Sequence, residues 1–486
     1  MTVICFLTSP VIATLGRQGI CELGIVTLCG GLWSWSSGPC LLLSVTGAVE
    51  VPAAVVEGGR RVWQNRLRAW LEQHGERREL SVRWLLNPDE SPRCNVRIVE
   101  EQGVITDIRT VSAGQESACL PLLVVPPLVN AHTHLEFSSL KTPLATGAPF
   151  ADWIRTVVGW RRSQVGDPAL VIHEGMRQSL ECGVGLVGEI ATRSGVYSDD
   201  IPASVVFREV IGLTPERIRE QLAAAREHVA LYRAQGTSES VCGLSPHAPY
   251  TVHPELMQSL MALAIEQRLP VAMHLAETRE ELQLLERGDG SLAEFLKSIG
   301  LFDSSVFPGG RGPLEFLQAL ADVPRALAVH GNYFGREEIE YLAGHPNISV
   351  VYCPRTHAWF GHSEHPFRRM QGVGIRVVLG TDSRASNPDL SILSELQYVL
   401  RQHRELQVSR QLKMITTEAA EALGRPECSV PLRVGSVFSA TMIVCGDDQS
   451  NVDATIRDRG TYPLLLAGQR PCEPAELNRL TEVVVR

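Results

Sequence analysis

The chain has 486 residues, of which 44% are hydrophobic and 20% are charged, values that are ordinary for a folded globular protein. Its formal net charge of -9 argues against a nucleic-acid-binding protein, which would normally carry a basic patch. The 12 cysteines are scattered without a CxxC pair, so neither a zinc ribbon nor a disulfide scaffold is indicated, and reduced thiols in a cytoplasmic enzyme are the simpler interpretation.

We interpret residues 1–77 as an extension that precedes the catalytic unit. Within residues 1–49 only Arg17 and Glu22 are charged. A signal peptide would need a basic start before its apolar core, and the chain begins Met1-Thr2-Val3 without one. Polar residues also interrupt the most apolar windows, which fall short of the about 20 continuous apolar residues of a membrane span.

Short strands flank a longer region in which strands and helices alternate. We predict strands at 80–85, 94–100 and 104–109, and again at 437–445, 453–458 and 462–467. We therefore expect residues 78–121 and 425–486 to form one small β-sandwich with a C-terminal tail, and residues 122–424 to form a separate domain between them.

The central region contains eight strand-like runs, which are 122–131, 183–190, 203–210, 241–245, 270–274, 326–330, 348–353 and 375–380. Helix-start signals lie between them, such as Thr214 followed by Pro215, and Thr278 followed by Glu281. This alternation predicts an α/β fold of the (β/α)8 TIM-barrel type, whose chemistry lies at the C-terminal ends of the strands.

The first predicted barrel strand ends in His132-Thr133-His134, and Glu136 follows two residues later. Alternate side chains of an extended strand point the same way, so His132 and His134 would project together and could hold one divalent metal. Two histidines in a polar loop would give the same pattern, so this motif needs support from the rest of the chain.

Polar residues also end four further predicted strands: His247 for the fourth, His274 with Glu277 for the fifth, His330 for the sixth and Asp382 for the eighth. A single histidine on an apolar strand is more often a satisfied core residue. Several such residues at the same face of a barrel predict a shared site.

The motifs VNAHTHLEFS, SPHAPYTV, MHLAET, VHGNYF and GTDSRASN, in this order, resemble the amidohydrolase superfamily in its branch of mononuclear-metal ring deaminases. The resemblance covers roughly residues 80–467. It implies metal ligands at His132, His134, His274 and Asp382, a general acid/base at Glu277, an orienting histidine at His330 and a substrate contact at His247. The additional segments FADWI and CPRTHAWFGH are most similar to aminodeoxyfutalosine deaminases.

Elementary chemistry supports these implied roles. Three imidazoles and one carboxylate leave a coordination position for water, whose pKa a metal lowers from about 15.7 toward about 7. Asp382 would accept the proton of that water, Glu277 would protonate the adjacent ring nitrogen, and His330 would steady the developing tetrahedral oxygen. Glu277 is also compatible with a helix-start carboxylate paired with Arg279.

The expected cofactor is one divalent metal ion, zinc or iron. Binuclear members of the superfamily use a bridging lysine or glutamate at the end of strand four, and residues 241–250 contain neither. The ligand types do not distinguish Zn²⁺ from Fe²⁺.

For the substrate we expect contacts from Glu136, Trp153, His247 and Arg355. A surface-loop acid, a core anchor and a loop salt bridge are the alternatives for Glu136, Trp153 and Arg355. The resemblance implies a hydrolase that releases ammonia from an amino-substituted heterocycle, such as a 6-aminopurine nucleoside derivative like aminodeoxyfutalosine. The alternatives are a chlorohydrolase or alkylamine hydrolase acting on triazines, and an inactive barrel scaffold. We expect a small-molecule substrate and no nucleic-acid or membrane partner, and the sequence leaves a homo-oligomer open.

Overall fold

The computed structural model describes residues 77–144, 150–193, 202–235, 240–445, 452–457 and 463–466, together with two short strands, β1 (Val11–Ile12) and β2 (Ile25–Val26). The chain divides into two units, Met1–Gly58 and Gly59–Arg486. In the first unit β1 pairs with β2 in antiparallel fashion. Apart from Arg77, which begins a strand of the second unit, the rest of the predicted extension falls outside the described residues. Within the described ranges, no helix is long and apolar enough to cross a membrane.

The strands of the second unit fall into two sheets. In chain order they are β3 (Arg77–Leu85), β4 (Arg93–Glu101), β5 (Val104–Thr110), β6 (Leu120–Val125), β7 (Leu128–His134), β8 (Val184–Ala191), β9 (Ala203–Val210), β10 (Ser240–Pro246), β11 (Val271–Leu275), β12 (Ala326–His330), β13 (Ile348–Tyr352), β14 (Val377–Leu379), β15 (Asp382–Ser383), β16 (Ala440–Val444) and β17 (Pro463–Leu466).

The strands β7 to β15 form the predicted barrel. All neighbouring strands are parallel, and their order is β14-β13-β12-β11-β10-β9-β8-β7-β15. β14 and β15 are two pieces of one eighth strand, because only Gly380 and Thr381 separate them. Since β14 pairs with β13 and β15 pairs with β7, with Asp382 opposite Thr133, the sheet closes on itself. The predicted (β/α)8 fold is confirmed.

Helices surround the barrel, most of them on its outer face. They are α1 (Phe150–Ser163), α2 (Pro168–Glu181), α3 (Pro215–Gln235), α4 (Pro254–Gln267), α5 (Arg279–Arg287), α6 (Ser291–Ser298), α7 (Pro313–Ala321), α8 (Arg336–Ala343), α9 (Pro354–Trp359), α10 (Phe367–Gly372), α11 (Ile392–Gln402), α12 (Val408–Gln411), α13 (Thr417–Leu423) and α14 (Val452–Arg457). Barrel strands such as β9 and β11 are buried along their whole length, because side chains fill the inner face and helices cover the outer one.

The remaining strands form a second sheet of order β17-β16-β6-β3-β4-β5, so segments from both ends of the chain pair as predicted. At the opposite edge Ile105 N–H donates to Ser436 O, and Phe438 N–H donates to Gly103 O. The segment that enters β16 therefore runs along β5 as well, which curls the sheet around a core that includes Ile98, Phe438 and Met442.

Two predicted strands are wrong as drawn. The run 122–131 is two strands, because Pro126 and Pro127 lack amide hydrogens and interrupt the ladder. Its first part belongs to the second sheet, and the barrel begins with β7. The run 453–458 is helical, and the buried positions Val452, Thr455 and Ile456 show the three-to-four-residue spacing of a helix.

Candidate active site

Six polar side chains from four barrel strands meet at the C-terminal mouth of the barrel. They are His132 and His134 of β7, His274 of β11, Glu277 just beyond β11, His330 of β12 and Asp382 of β15. The Nε2 atoms of His134 and His274 lie 3.2 Å apart. Asp382 Oδ1 lies 3.6 Å from Nε2 of both His132 and His134. The structure thus brings together all the residues predicted as metal ligands or catalytic groups.

The unsatisfied nitrogen atoms of this cluster fit a metal ion. Neither ring nitrogen of His132 has a hydrogen-bond partner, and Nε2 of His330 has none, although these atoms are buried. Burying unpaired polar atoms is costly, so such a cluster requires a further partner. Two imidazole nitrogens bound to one tetrahedral cation would lie about 3.3 Å apart, close to the observed His134–His274 separation. Three imidazoles and a carboxylate are a donor set for Zn²⁺ or Fe²⁺.

The electrostatics of the cluster favour the metal-binding protonation states. Burial lowers the pKa of His134 and His274 well below the usual value, so both rings are neutral. His274 Nδ1 lies 3.0 Å from the His247 carbonyl oxygen and donates to it, which leaves Nε2 with its lone pair free. Burial opposes ionisation of Asp382, but the neighbouring histidines outweigh it and lower the pKa of the carboxyl group.

The pKa of Glu277 is shifted in the opposite direction to that of Asp382. Burial, followed by the nearby Asp382 and Glu281 carboxylates, raises the pKa of Glu277 well above its usual value. Its Oε1 lies 3.6 Å from His330 Nε2. A carboxylic acid that keeps its proton next to an ionised carboxylate is the arrangement expected of a general acid. Paired ionisable groups with diverging pKa values are typical of catalytic centres.

The backbone is strained where three strands deliver these side chains. Ala276, His330 and Asp382 have positive φ angles of 54°, 73° and 57°. Residues other than glycine adopt this left-handed conformation at a cost, and such residues concentrate at functional sites. The turns aim Glu277, His330 and Asp382 toward a common point.

Buried hydrogen bonds hold the first and eighth strands in register at the site. Asn130 Nδ2 donates to Thr381 Oγ1 over 2.8 Å, and Thr381 N–H donates to Asn130 Oδ1 over 3.1 Å. A Cβ atom on Gly380 would lie only 2.8 Å from the Cβ atom of His132, so glycine permits the close approach of the two strands.

Carboxylates behind the site fix the loops that carry its residues. Glu281 accepts hydrogen bonds from the backbone N–H groups of Ala276 and Glu277 over 2.8 and 2.9 Å. The predicted interaction of Thr278 with Glu281 is also present, since Thr278 Oγ1 accepts from Glu281 N–H over 3.1 Å. Glu189 accepts from the N–H of Leu135, the residue after His134, over 3.0 Å.

The cluster opens into a cavity of about 270 Å³. His134, His274 and Asp382 line it together with residues of α1, of the loop after β9 and of α6. Phe150 and Trp153 of α1 stack on one another with ring centroids 5.6 Å apart, and both line the cavity. Such a mostly apolar cavity above a polar floor suits a flat heterocycle.

Two of the four predicted substrate contacts line the cavity, and two do not. Trp153 and His247 line the cavity. Glu136 lies behind its wall, where it forms an ion pair with Arg161 and accepts a hydrogen bond from Thr192 Oγ1 over 3.1 Å. Arg355 is not among the cavity-lining residues; it forms ion pairs of 2.6 Å with Asp389 and of 2.6 Å with Glu395, so the alternative of a loop salt bridge applies.

Sequence reasoning missed three charged residues that line the cavity, Arg161, Glu209 and Arg217. A signal for Glu209 was available, because an Arg-Glu pair interrupts the apolar strand ASVVFREV near its C-terminal end. For Arg161 the sequence offered no comparable signal, since a basic residue in the last turn of a helix is ordinary.

The chain is similar in sequence to known proteins. The model of the amidohydrolase family matches residues 123–458. The aminodeoxyfutalosine deaminase of Deinococcus radiodurans is 30% identical over 289 residues, which are 57% of this chain and 67% of that protein.

Two solved structures share the fold. The structure of Helicobacter pylori aminofutalosine deaminase in complex with methylthio-coformycin has a TM-score of 0.69 at 20% identity and covers 80% of this chain and 98% of that one. An adenosine deaminase from Xanthomonas campestris with bound zinc has a TM-score of 0.62 at 20% identity and covers 84% of this chain and 97% of that one.

Proposed function

The chain belongs to the amidohydrolase family, which makes it a hydrolase acting on C–N bonds, and we propose that it removes the 6-amino group of a purine nucleoside derivative with the aid of one divalent metal ion. The observation that carries the proposal is the convergence of three histidines and an aspartate with a buried glutamic acid at the mouth of a closed barrel. Thiols outside any disulfide at Cys94, Cys242 and Cys353, among the described residues, support a cytoplasmic location as part of this proposal.

The proposed metal ligands are His132, His134, His274 and Asp382. A divalent cation held there lowers the pKa of a water molecule from about 15.7 toward about 7, which supplies a nucleophile at neutral pH. Zn²⁺ is the proposed ion, with Fe²⁺ as the alternative, since imidazole and carboxylate ligands suit both.

Side chains of the protein then carry out the proton transfers of the reaction. Glu277 donates its proton to the ring nitrogen next to the amino-bearing carbon, which makes that carbon electrophilic. Asp382 takes the proton of the attacking water and passes it to the amino group, so that ammonia can leave. His330 lies beside Glu277 and stabilises the oxygen of the tetrahedral intermediate by hydrogen bonding. As ammonia leaves, the remaining hydroxyl proton of the intermediate passes to Glu277, so both carboxyl groups return to their starting states. Water is consumed, and the amino group is replaced by oxygen.

The substrate class is proposed from the shape of the cavity and from the related proteins. Phe150 and Trp153 offer aromatic faces to a planar ring, and His247 offers a polar edge on the same cavity. The Deinococcus radiodurans relative is named an aminodeoxyfutalosine deaminase, so aminodeoxyfutalosine is the first substrate to test.

The test is ammonia release by zinc-loaded protein from a panel of adenosine, 5′-methylthioadenosine and aminodeoxyfutalosine. We expect turnover of at least one nucleoside, and none by protein stripped of metal with a chelator. If neither zinc-loaded nor iron-loaded protein released ammonia from any nucleoside, the proposal would be overturned. A parallel panel of chlorinated and aminated triazines tests the alternative leaving group, because a chlorohydrolase would release chloride.

A further inference from the structure

Glu209 and Arg161 face each other on the cavity wall, and the proposed mechanism leaves both without a role. Glu209 lies near the C-terminal end of β9 with only 3% of its side chain exposed, and its Oε2 lies 3.7 Å from Arg161 Nη2. Its other oxygen, Oε1, lies 3.9 Å from His247 Nε2. Both separations exceed hydrogen-bonding distance. Within the described ranges the carboxylate of Glu209 is thus buried, borders the cavity and lacks a direct donor.

Neighbouring residues anchor the Arg161 side chain, and part of its hydrogen-bond donor capacity is unused. Its Nη2 atom contacts the carboxylate of Glu136, and its guanidinium group lies 5.0 Å from the centroid of the Phe137 ring. Its Nε atom is buried without a hydrogen-bond partner. The anchoring by Glu136 and Phe137 keeps Arg161 from closing onto Glu209. Burial raises the pKa of Glu209, and the charges of Arg161 and Arg208 oppose this shift. The cavity wall therefore presents a carboxyl group that accepts hydrogen bonds next to a guanidinium group that only donates them.

This pair is unsuited to an anionic ligand. Burial disfavours the charge of Arg161, but Glu209 and Glu136 outweigh it and raise the pKa of Arg161, so the positive charge persists and is already matched by carboxyl groups. A phosphate or carboxylate would meet Glu209, and the other arginine that lines the cavity, Arg217, is paired with Glu220 over 2.8 Å.

A neutral group that both donates and accepts hydrogen bonds fits the pair. On a 6-aminopurine nucleoside whose amino carbon lies at the metal cluster, the ring edges that remain carry only acceptor nitrogens. The donors left are the sugar hydroxyls, and each hydroxyl can donate to a carboxylate while accepting from a guanidinium group. Neighbouring hydroxyls on one sugar ring match the side-by-side arrangement of Glu209 and Arg161.

We propose that Glu209 and Arg161 form a sugar-hydroxyl subsite that makes the enzyme selective for nucleosides with free 2′ and 3′ hydroxyls. This inference rests on the proposed deamination of a purine nucleoside and adds the residues that select the sugar. Glu136 acts as a positioning residue, since it touches Arg161 and lies behind the cavity wall.

The first experiment compares kcat/KM for adenosine and 2′,3′-dideoxyadenosine in the wild-type protein and in Glu209→Gln. A hydrogen bond to a charged group corresponds to a factor of roughly 10 to 150, so the wild-type protein should prefer adenosine by at least about tenfold. Glu209→Gln should lose activity on adenosine and lose most of this preference, because the two changes remove the same interaction. A variant that keeps the wild-type preference would overturn the proposal.

The matched control is Glu100→Gln, which alters another buried glutamate that pairs with Arg78 in the second sheet, away from the cavity. It should keep the full preference for adenosine. If Glu209→Gln does not fold, as judged by circular dichroism, Arg161→Met replaces it. The Arg161 variant should likewise lose the preference, and retention would overturn the proposal.

A second experiment measures binding without turnover. Calorimetry compares purine riboside with its 2′,3′-dideoxy analogue on wild-type protein and on Glu209→Gln. If no nucleoside is deaminated and the wild-type protein still binds the riboside at least about tenfold tighter than its analogue, the deaminase proposal fails and the subsite stands. If nucleosides are deaminated and both ligands bind equally well, the deaminase proposal stands and the subsite is overturned. If neither turnover nor binding occurs, both are overturned.

Discussion

Substitution of Gly380 by alanine should disable the metal cluster without replacing any of its ligands. The added Cβ atom would lie 2.8 Å from the Cβ atom of His132, 2.9 Å from the His132 carbonyl oxygen and 3.0 Å from Val351 Cγ1. Carbon atoms pack comfortably at about 3.5–4.0 Å, so the strand carrying His132 must move away by roughly 1 Å. Two of these contacts belong to the β7 residue itself, which leaves little room for relief by side-chain rotation.

A shift of this size exceeds what the cluster tolerates. Metal–ligand distances are fixed to within about 0.2 Å, and a misplacement of about 1 Å in an active site can cost about 100-fold in rate. Overpacking a well-filled core also costs about 1–3 kcal/mol of stability. We therefore expect Gly380→Ala to fold with a lowered melting temperature, to bind zinc at least about tenfold more weakly and to lose about 100-fold in kcat/KM.

The assay combines a competition titration for zinc affinity, thermal unfolding and the ammonia assay. Gly372→Ala is the matched control, because nothing lies within 4 Å of its added Cβ atom. It should bind zinc like the wild-type protein. If Gly380→Ala retained wild-type zinc affinity, the reasoning that the close contact between Gly380 and β7 sets the position of His132 would be refuted.

Three further predictions concern the proposed catalytic acid Glu277, the arginine Arg355, which does not line the cavity, and the metal. Glu277→Gln should keep the wild-type zinc content and lose about 100- to 10,000-fold in kcat, since it removes the proton donor; an unchanged kcat would exclude this role. Arg355→Met should lower the free energy of unfolding in urea by about 3–5 kcal/mol, because Glu395 would remain buried with its charge unpaired, while KM stays constant; a raised KM would instead indicate a substrate contact. Removal of metal by a chelator should lower the melting temperature and abolish ammonia release, and added Zn²⁺ should restore both; restoration of neither would contradict a bound metal in the native protein.

The barrel could be predicted because its strands are short apolar runs that end in polar residues. Ala203–Val210 and Ala326–His330 agree with the predicted ranges to the residue. The boundary between the two sheets could not be predicted in the run 122–131, because the sequence is apolar on both sides of the two prolines that separate the strands. The helix Val452–Arg457 was taken for a strand because six residues are too few to show their period clearly.

The metal cluster could be predicted because each of its residues ends a strand, and a closed parallel barrel brings all strand ends to one face. Side-chain partners further apart could not. The sequence around Arg355 does not indicate that Asp389 and Glu395 are its partners. Arg161 reaches the cavity only because α1 lies across the mouth of the barrel. Such pairings depend on the path of long loops, which periodicity does not encode.

The most direct test of the central claim is a crystal structure of the zinc-loaded protein, with anomalous diffraction recorded on both sides of the zinc absorption edge. The account predicts one strong anomalous peak at the barrel mouth, bonded to His132, His134, His274 and Asp382 at about 2.0–2.2 Å. A barrel mouth without a peak, or a zinc ion bound only elsewhere on the protein, would contradict it.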